Sequence, residues 1–588
     1  MEIKRCTLDC AAHGILPGTD ITEALHALLC AHSENTEFVF APGEYYFSPK
    51  FTYDYRLSNT DVLPTRKLGI WMRGMKHITL DFGGSRLYFV GQMQPFTLDG
   101  CEDITVRNAV VDWKKPLVAE GIVRDVHMGD TQWVDMYVDP QAFPHEVRDA
   151  WLWFDTGNGE WYPLQRGSAI QYDVQTRTVR RDSGDRFNPV SVEDLGNCVY
   201  RFHTEDASNV APGNIFVLRH NDRMHAGAFC EMCRDITFED ITFHSCGGLG
   251  CLAQFSENLT YRRVHFLPNV AAGRLISGGR DDGMHITCNR GTVTIEECSF
   301  VGLMDDPINV HGCCVTVTRI ENARTLVCKY EHPQACGFHY WAQPGDTIGF
   351  IERKHMSAVG RAVVAQYTLG ETLDSFTVVF EEDLPEDILV AAGQPAALSL
   401  DNLTNTVSFI CRRNRFGSCR ARGVLLSTPK PVRITDNVFA SSGAAILVAG
   451  DSNFWFESGE CHDVEISNNV FTDACLTSVY QFGEGIISIC PIVPEPDIRL
   501  PFHKNIRIHD NVFDTADTPV VYAYSTAHLT FENNTVFRSP AAEKWTDARG
   551  LIRFDHCVNV TARNNRFIGP FSIDRYECTS CEELHLER

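Results

Sequence analysis

One short pattern, apolar-x-apolar-x-x-Asn-x-Phe, recurs along the chain and leaves few folds open to it. It reads Val432-Arg-Ile434-Thr-Asp-Asn437-Val-Phe439, Val464 through Phe471, Ile506 through Phe513 and Val560 through Phe567. Weaker copies start at Ile104, Ile236, Leu259, Val293, Phe409 and Leu529. In each copy a period-2 apolar pair faces a core, the Asn suits a tight turn, and the Phe re-enters the core from the next short strand. The spacings from Ile236 to Leu259, Phe409 to Val432 and Ile506 to Leu529 are each 23 residues. That is one coil of a parallel β-helix, in which stacked Asn side chains form a ladder hydrogen-bonded from rung to rung. Cys298 stands at the Asn position of its own copy.

The same interval separates two acidic doublets, Asp281-Asp282 in GGRDDGMHITCN and Asp305-Asp306 in GLMDDPINVHG, counted from Asp282 to Asp305. The second doublet is therefore expected one rung, about 4.8 Å, above the first. Four carboxylates then share one patch. A single outward Asp on a β-helix is ordinary solvated surface, but like charges stacked on neighbouring rungs repel and raise at least one pKa. Carboxylates whose pKa values are pushed apart are what glycoside hydrolysis requires, one protonated to serve the leaving oxygen and one ionised as base or nucleophile. Arg280, His285, Asn309 and His311 supply donors beside them. The two histidines read equally well as structural hydrogen-bonding residues. Farther along, Trp455 and Glu457 in Asn453-Phe-Trp-Phe-Glu-Ser-Gly offer an indole for a sugar's CH face and an acceptor for its hydroxyls. Arg422, in Cys419-Arg-Ala-Arg-Gly423, is placed either in the cleft or on a solvated face, and Gln481 through Ile487 is a weaker candidate.

Two intervals exceed any single coil and mark insertions. Between Ile104 and Ile236 lie short alternating strands such as Trp133-Val-Asp-Met-Tyr-Val138, and between Val293 and Phe409 another set, including Phe376-Thr-Val-Val-Phe380. The chain divides into residues 1–112 (a cap and the first coils), 113–215 (an inserted β-barrel-like domain), 216–312 (coils with the acidic cluster), 313–404 (a second inserted β-barrel-like domain) and 405–588 (C-terminal coils). The cap is a helix with Thr19 or Asp20 as N-cap and apolar positions Ile21, Ala24, Leu25, Leu28 and Leu29. The fold class is all-β, a right-handed parallel β-helix with two inserted small β-barrels.

No apolar run reaches 18 residues, so membrane spanning is not expected, and a net charge of −24 argues against nucleic acid as partner. The start MEIKRCTLDCAAHGILPG has no apolar secretory stretch, which makes a cytoplasmic chain the expectation. The 23 cysteines, odd in number and scattered along the chain, read as buried reduced thiols, and no metal site or cofactor is implied.

On the GGRDDGMH and MDDPINVHG segments, the Arg420–Pro429 stretch and Trp455-Phe-Glu-Ser-Gly459, the chain resembles glycoside hydrolase family 110. These are exo-acting α-1,3-galactosidases that remove terminal galactose from blood-group-B-type and related glycans. The resemblance implies a metal-independent, inverting reaction on a galactose-terminated oligosaccharide. It makes Asp282, Asp305 and Asp306 the catalytic carboxylates, with Asp305 as general acid and Asp282 with Asp306 positioning and deprotonating water. Arg280, Asp281, His285, Asn309, His311, Arg422, Trp455 and Glu457 are then expected to bind substrate. Two rivals remain. A polyuronide hydrolase or lyase would show a basic clamp for uronates or a calcium cluster, and a non-catalytic carbohydrate-binding β-helix would show aromatics along a shallow face without buried carboxylates.

Overall fold

The computed structural model describes residues 5–587 apart from 61–63, 168, 186, 221, 336–339, 395–396, 480–482 and 541–548. Its body is a right-handed parallel β-helix. A 22-stranded and a 13-stranded sheet run along it, with successive coils pairing in parallel. The repeat copies stack one on another: Ile104 pairs with Ile236, Ile236 with Leu259, Leu259 with Val293, Val293 with Phe409 and Phe409 with Val432. The stack continues through Val464, Ile506, Leu529 and Val560. One residue slip would turn this whole apolar row outward, so the pattern fixes the register.

Inside the turn, Asn414, Asn437, Asn469, Asn511, Asn534 and Asn565 form a ladder in which each side-chain amide donates to the next residue's Oδ1 at 3.0–3.1 Å. Cys298 joins its foot, its backbone N–H donating to Asn414 Oδ1 at 2.8 Å. The sharp bend itself falls one residue earlier than the pattern suggested. Arg413, Asp436, Asn468, Asp510, Asn533 and Asn564 carry φ between +54° and +59°, whereas the ladder Asn residues do not. The ladder side chain points inward to satisfy buried backbone groups, while its exposed neighbour takes the left-handed strain. Beside the ladder, Phe300, Phe416, Phe439 and Phe471 stack with centroids 4.4–5.2 Å apart.

The helix Thr22–Ala31 closes the first coil, burying Leu25, Leu28 and Leu29. Its N-cap residue is Ile21, not Thr19 or Asp20. Asp20 still satisfies an orphan donor from one position farther out, accepting from the Thr22 N–H at 3.0 Å. Two antiparallel units leave the coils. The first has a six-stranded sheet running from Val118–Met128 to Ile215–Arg219, and the second is a closed six-stranded barrel from Val315–Asn322 to Leu398–Asn402.

Candidate active site

The strands Met284–Thr287 and Ile308–His311 lie side by side, with His285 opposite Asn309 and Thr287 opposite His311. The pairing runs back into the preceding turns, where the Gly283 N–H donates to the Asp306 carbonyl at 3.0 Å. Only a glycine allows this approach, because a Cβ at Gly283 would sit 2.6 Å from the Pro307 carbonyl oxygen. The paired residues of these strands are 24 apart, and the two doublets lie in the turns just before them. The coil is thus one residue longer than the 23-residue interval that would have stacked Asp305 on Asp282. All four carboxylates nevertheless line one cavity of about 700 Å³.

Their charge states diverge because arginines reach them unequally. Asp281 is fully buried, accepting from Arg219 Nη1 at 2.7 Å and from Arg280, with Arg223 Nε at 3.3 Å. Burial alone would raise its pKa, but Arg223, Arg280 and Arg219 outweigh it and hold the carboxyl far below the usual range. Asp305, with 25% of its side chain exposed, accepts from Arg223 Nη2 at 2.8 Å and faces Arg420 Nη1 at 3.9 Å. Against burial, Arg223, Arg420 and Arg422 keep it below its ordinary value. Asp306 is pushed up by burial while Arg422 grips both its oxygens. Asp282 differs from all of them. It is 4% exposed, its Oδ1 has no hydrogen-bond partner among the described residues, and Arg223 Nη1 stands 4.0 Å away. Burial, and then the charges of Asp305, Asp306 and Asp281, push it well above a normal carboxylate, with Arg223 opposing.

Of the residues singled out in the sequence, Arg280, Asp281, Asp282, Asp305, Asp306, Asn309, Arg422, Trp455 and Glu457 line the cavity. His285 and His311 do not; they sit behind Asp282, in contact with each other. Asp281 lines the cavity with its oxygens taken up by three arginines. Gln481 lies outside the described residues, and Glu484 is on the surface, paired with Arg553 at 2.9 Å. Sequence reasoning missed Arg219, which ends the last strand of the first insertion, and Arg223 just after it, together with Asn59, Gln165 and Gln334. No spacing rule links these to the doublets, because they arrive from separate segments of the chain.

Above the carboxylates the wall turns apolar. Asn309 pairs with Leu425 and Leu425 with Leu447, so the row that begins with an amide continues along the helix axis as leucines, joined by Ala449 and Ile492. Phe454 and Trp455, 66% and 46% exposed, stand at the mouth. Asp451 fixes that loop by accepting the N–H groups of Asn453, Phe454 and Trp455.

Two family profiles match the insertions, GLAA-B beta-barrel domain I over residues 119–216 and GLAA-B beta-barrel domain II over residues 325–391. The chain is 37% identical to α-1,3-galactosidase B of Bacteroides thetaiotaomicron over 549 residues, covering 92% of this chain and 87% of that protein. The chain belongs to glycoside hydrolase family 110, the α-1,3-galactosidases. It is also 30% identical to α-1,3-galactosidase B of Akkermansia muciniphila, with 98% and 71% of the two chains covered, and 31% identical to α-1,3-galactosidase A of Bacteroides fragilis, with 83% and 80% covered. Among solved structures, a family 28 exopolygalacturonase of Yersinia enterocolitica superposes with a TM-score of 0.42 at 10% identity, over 100% of this chain and 79% of that one. In this family 110 chain the segment after the first barrel brings Arg219 and Arg223 to the carboxylates, and the segment matched as the second supplies Gln334.

Proposed function

We propose that this site releases terminal α-1,3-linked galactose from oligosaccharides and glycans by single-step, inverting hydrolysis without a metal. The observation that carries the reading is the opposed charge of two neighbouring carboxylates in one cavity, Asp282 driven toward its protonated form and Asp305 held ionised by arginines. An acid and a base at opposite protonation are the pair that inverting glycosidases use. Asp282 protonates the glycosidic oxygen as it leaves. Asp305, the more exposed, takes the proton of the attacking water, and Asp306, clamped by Arg422, positions that water. This reading exchanges the acid and base relative to the split expected from the sequence, because Arg223 and Arg420, invisible as Asp305's partners in the chain order, stand against Asp305.

The substrate fits the same division. A galactose ring presents hydroxyls to Asn309, whose Oδ1 has no hydrogen-bond partner among the described residues, and to the arginine-lined end, while the rest of the glycan meets Leu425, Leu447 and Trp455. A polyuronide is disfavoured, since Arg219, Arg223, Arg280, Arg420 and Arg422 are each bound to a carboxylate of the chain itself. The test is hydrolysis of α-1,3-, α-1,4- and α-1,6-linked galactosides followed by NMR of the nascent sugar. Cleavage of the α-1,3 linkage with β-galactose appearing first is the expected result. α-Galactose as first product, or a trapped galactosyl-enzyme, overturns inversion.

A further inference from the structure

Behind the acid lies a pair of buried histidines that the reaction as described does not use. Asp282 Oδ2 is 2.8 Å from His285 Nδ1, and His285 Nε2 is 2.9 Å from His311 Nε2, the rings meeting edge to face at 86°. His311 Nδ1 in turn faces the Gly312 carbonyl. Glycine is required at that position, since any Cβ on Gly312 would collide with Ser458 Oγ.

The protons of this chain follow from one end. A carbonyl only accepts, so His311 carries its hydrogen on Nδ1 and, as a neutral ring, leaves Nε2 bare. His285 then donates from Nε2 to His311, and its own Nδ1 is left bare toward Asp282. Two atoms without hydrogen do not approach to 2.8 Å favourably, so the proton between them belongs to Asp282. Both rings are neutral because burial pulls His285 down to about 4 and His311 below its ordinary value. The opposite arrangement, with His285 donating to an ionised Asp282, requires a second proton on one of the two rings, His285 or His311, against the burial that holds both neutral. Glu457, with Oε1 3.6 Å from His311 Nε2, is the anion that favours that cation, while Arg223 opposes a charge on His285 and Asp305 and Asp306 favour one.

We infer that His285 and His311 are positioning residues for the acid: Gly312 sets the tautomer of His311, His311 sets that of His285, and the bare His285 Nδ1 keeps Asp282 in its proton-bearing form. The inference rests on the reading of Asp282 as the general acid. It makes the acid's protonation a property of a hydrogen-bond chain anchored in the main chain, and not of burial alone.

The test joins a spectrum to a pH profile. In the full-length protein labelled with ¹⁵N-histidine, and assigned with H285Q and H311Q, His285 is expected to be protonated only at Nε2 and His311 only at Nδ1; either ring protonated at both nitrogens overturns the inference. Removing the acceptor in His285→Phe should move the alkaline limb of kcat/KM on an α-1,3-galactosyl disaccharide to lower pH by about one unit, because the neutral acid loses its hydrogen bond. His285→Gln, which keeps an acceptor, should restore most of that shift. An alkaline limb that stays in place, or moves upward, in His285→Phe overturns the proposal. Asp282→Asn separates this outcome from failure of the underlying reading: if that variant still cleaves the disaccharide at near wild-type rate, Asp282 is not the acid and both readings fall.

Discussion

Arg422 holds Asp306 by two parallel hydrogen bonds, Nε to Oδ1 at 2.8 Å and Nη2 to Oδ2 at 2.7 Å, and its backbone N–H reaches the same Oδ1 at 3.1 Å. The pair is buried and joins rungs that lie far apart in sequence across the second insertion. Arg422→Met leaves a buried carboxylate unpaired and should destabilise the protein by about 3–5 kcal/mol, measured by chemical denaturation. Arg422→Lys keeps the charge but loses the planar fork, so it should retain more stability while still losing activity.

The assignment of acid and base gives distinct leaving-group signatures. Asp282→Asn cannot donate a proton, so hydrolysis of disaccharides should fall by about 10²–10⁴ while dinitrophenyl α-galactoside, whose leaving group needs no proton, loses far less. Asp305→Asn should lose activity on both substrates alike, because water activation is common to them. Kinetics that show the reverse pattern exchange the two roles.

The pH profile follows from the same directions. Activity requires Asp305 ionised and Asp282 protonated; Asp305 lies below its ordinary carboxylate value and Asp282 well above it. The productive form therefore predominates between the two pKa values, and kcat/KM should be bell-shaped with its alkaline limb set by Asp282.

Stability carries the opposite sign for the same residue. A carboxyl raised in the folded state contributes stability below its unfolded pKa, about 3.9, and loses it as pH rises toward the folded value. Asp282→Asn removes that loss, so the variant's Tm should gain on the wild type as pH increases through this window. Thermal melts at matched pH values give the comparison.

The ladder can be tested away from the site. Asn437→Ala removes the acceptor for both the Asn414 N–H and its side-chain amide, at 2.9 and 3.0 Å, and should cost about 2–4 kcal/mol in denaturation experiments. Cys298→Asn would extend the ladder by one rung and should stabilise by about 1 kcal/mol.

The repeat made the β-helix legible before any coordinates. Period-2 apolar pairs, an Asn and a Phe at fixed offsets specify a coil locally, and the pairing of Ile236 with Leu259 or Phe409 with Val432 repeats the sequence interval directly. The doublets were legible for the same reason, since residues on adjacent coils are neighbours whenever the coil length is known. The exact register was not, because a coil of 24 residues and one of 23 differ by a single residue in a turn, which no periodic signal records. Nor could the sequence say which aspartate keeps its proton. That is decided by charge and burial at short range, by Arg223 resting on Asp305 at 2.8 Å and His285 on Asp282 at the same distance. Arg223 reaches Asp305 across 82 residues of chain and Arg420 approaches it from beyond the second insertion. The sequence by itself determined the scaffold and the carboxylates it carries; only the tertiary structure, by bringing distant arginines and a buried histidine pair against them, decided how differently each carboxylate is surrounded, because those partners come from segments that no periodic signal links to the doublets.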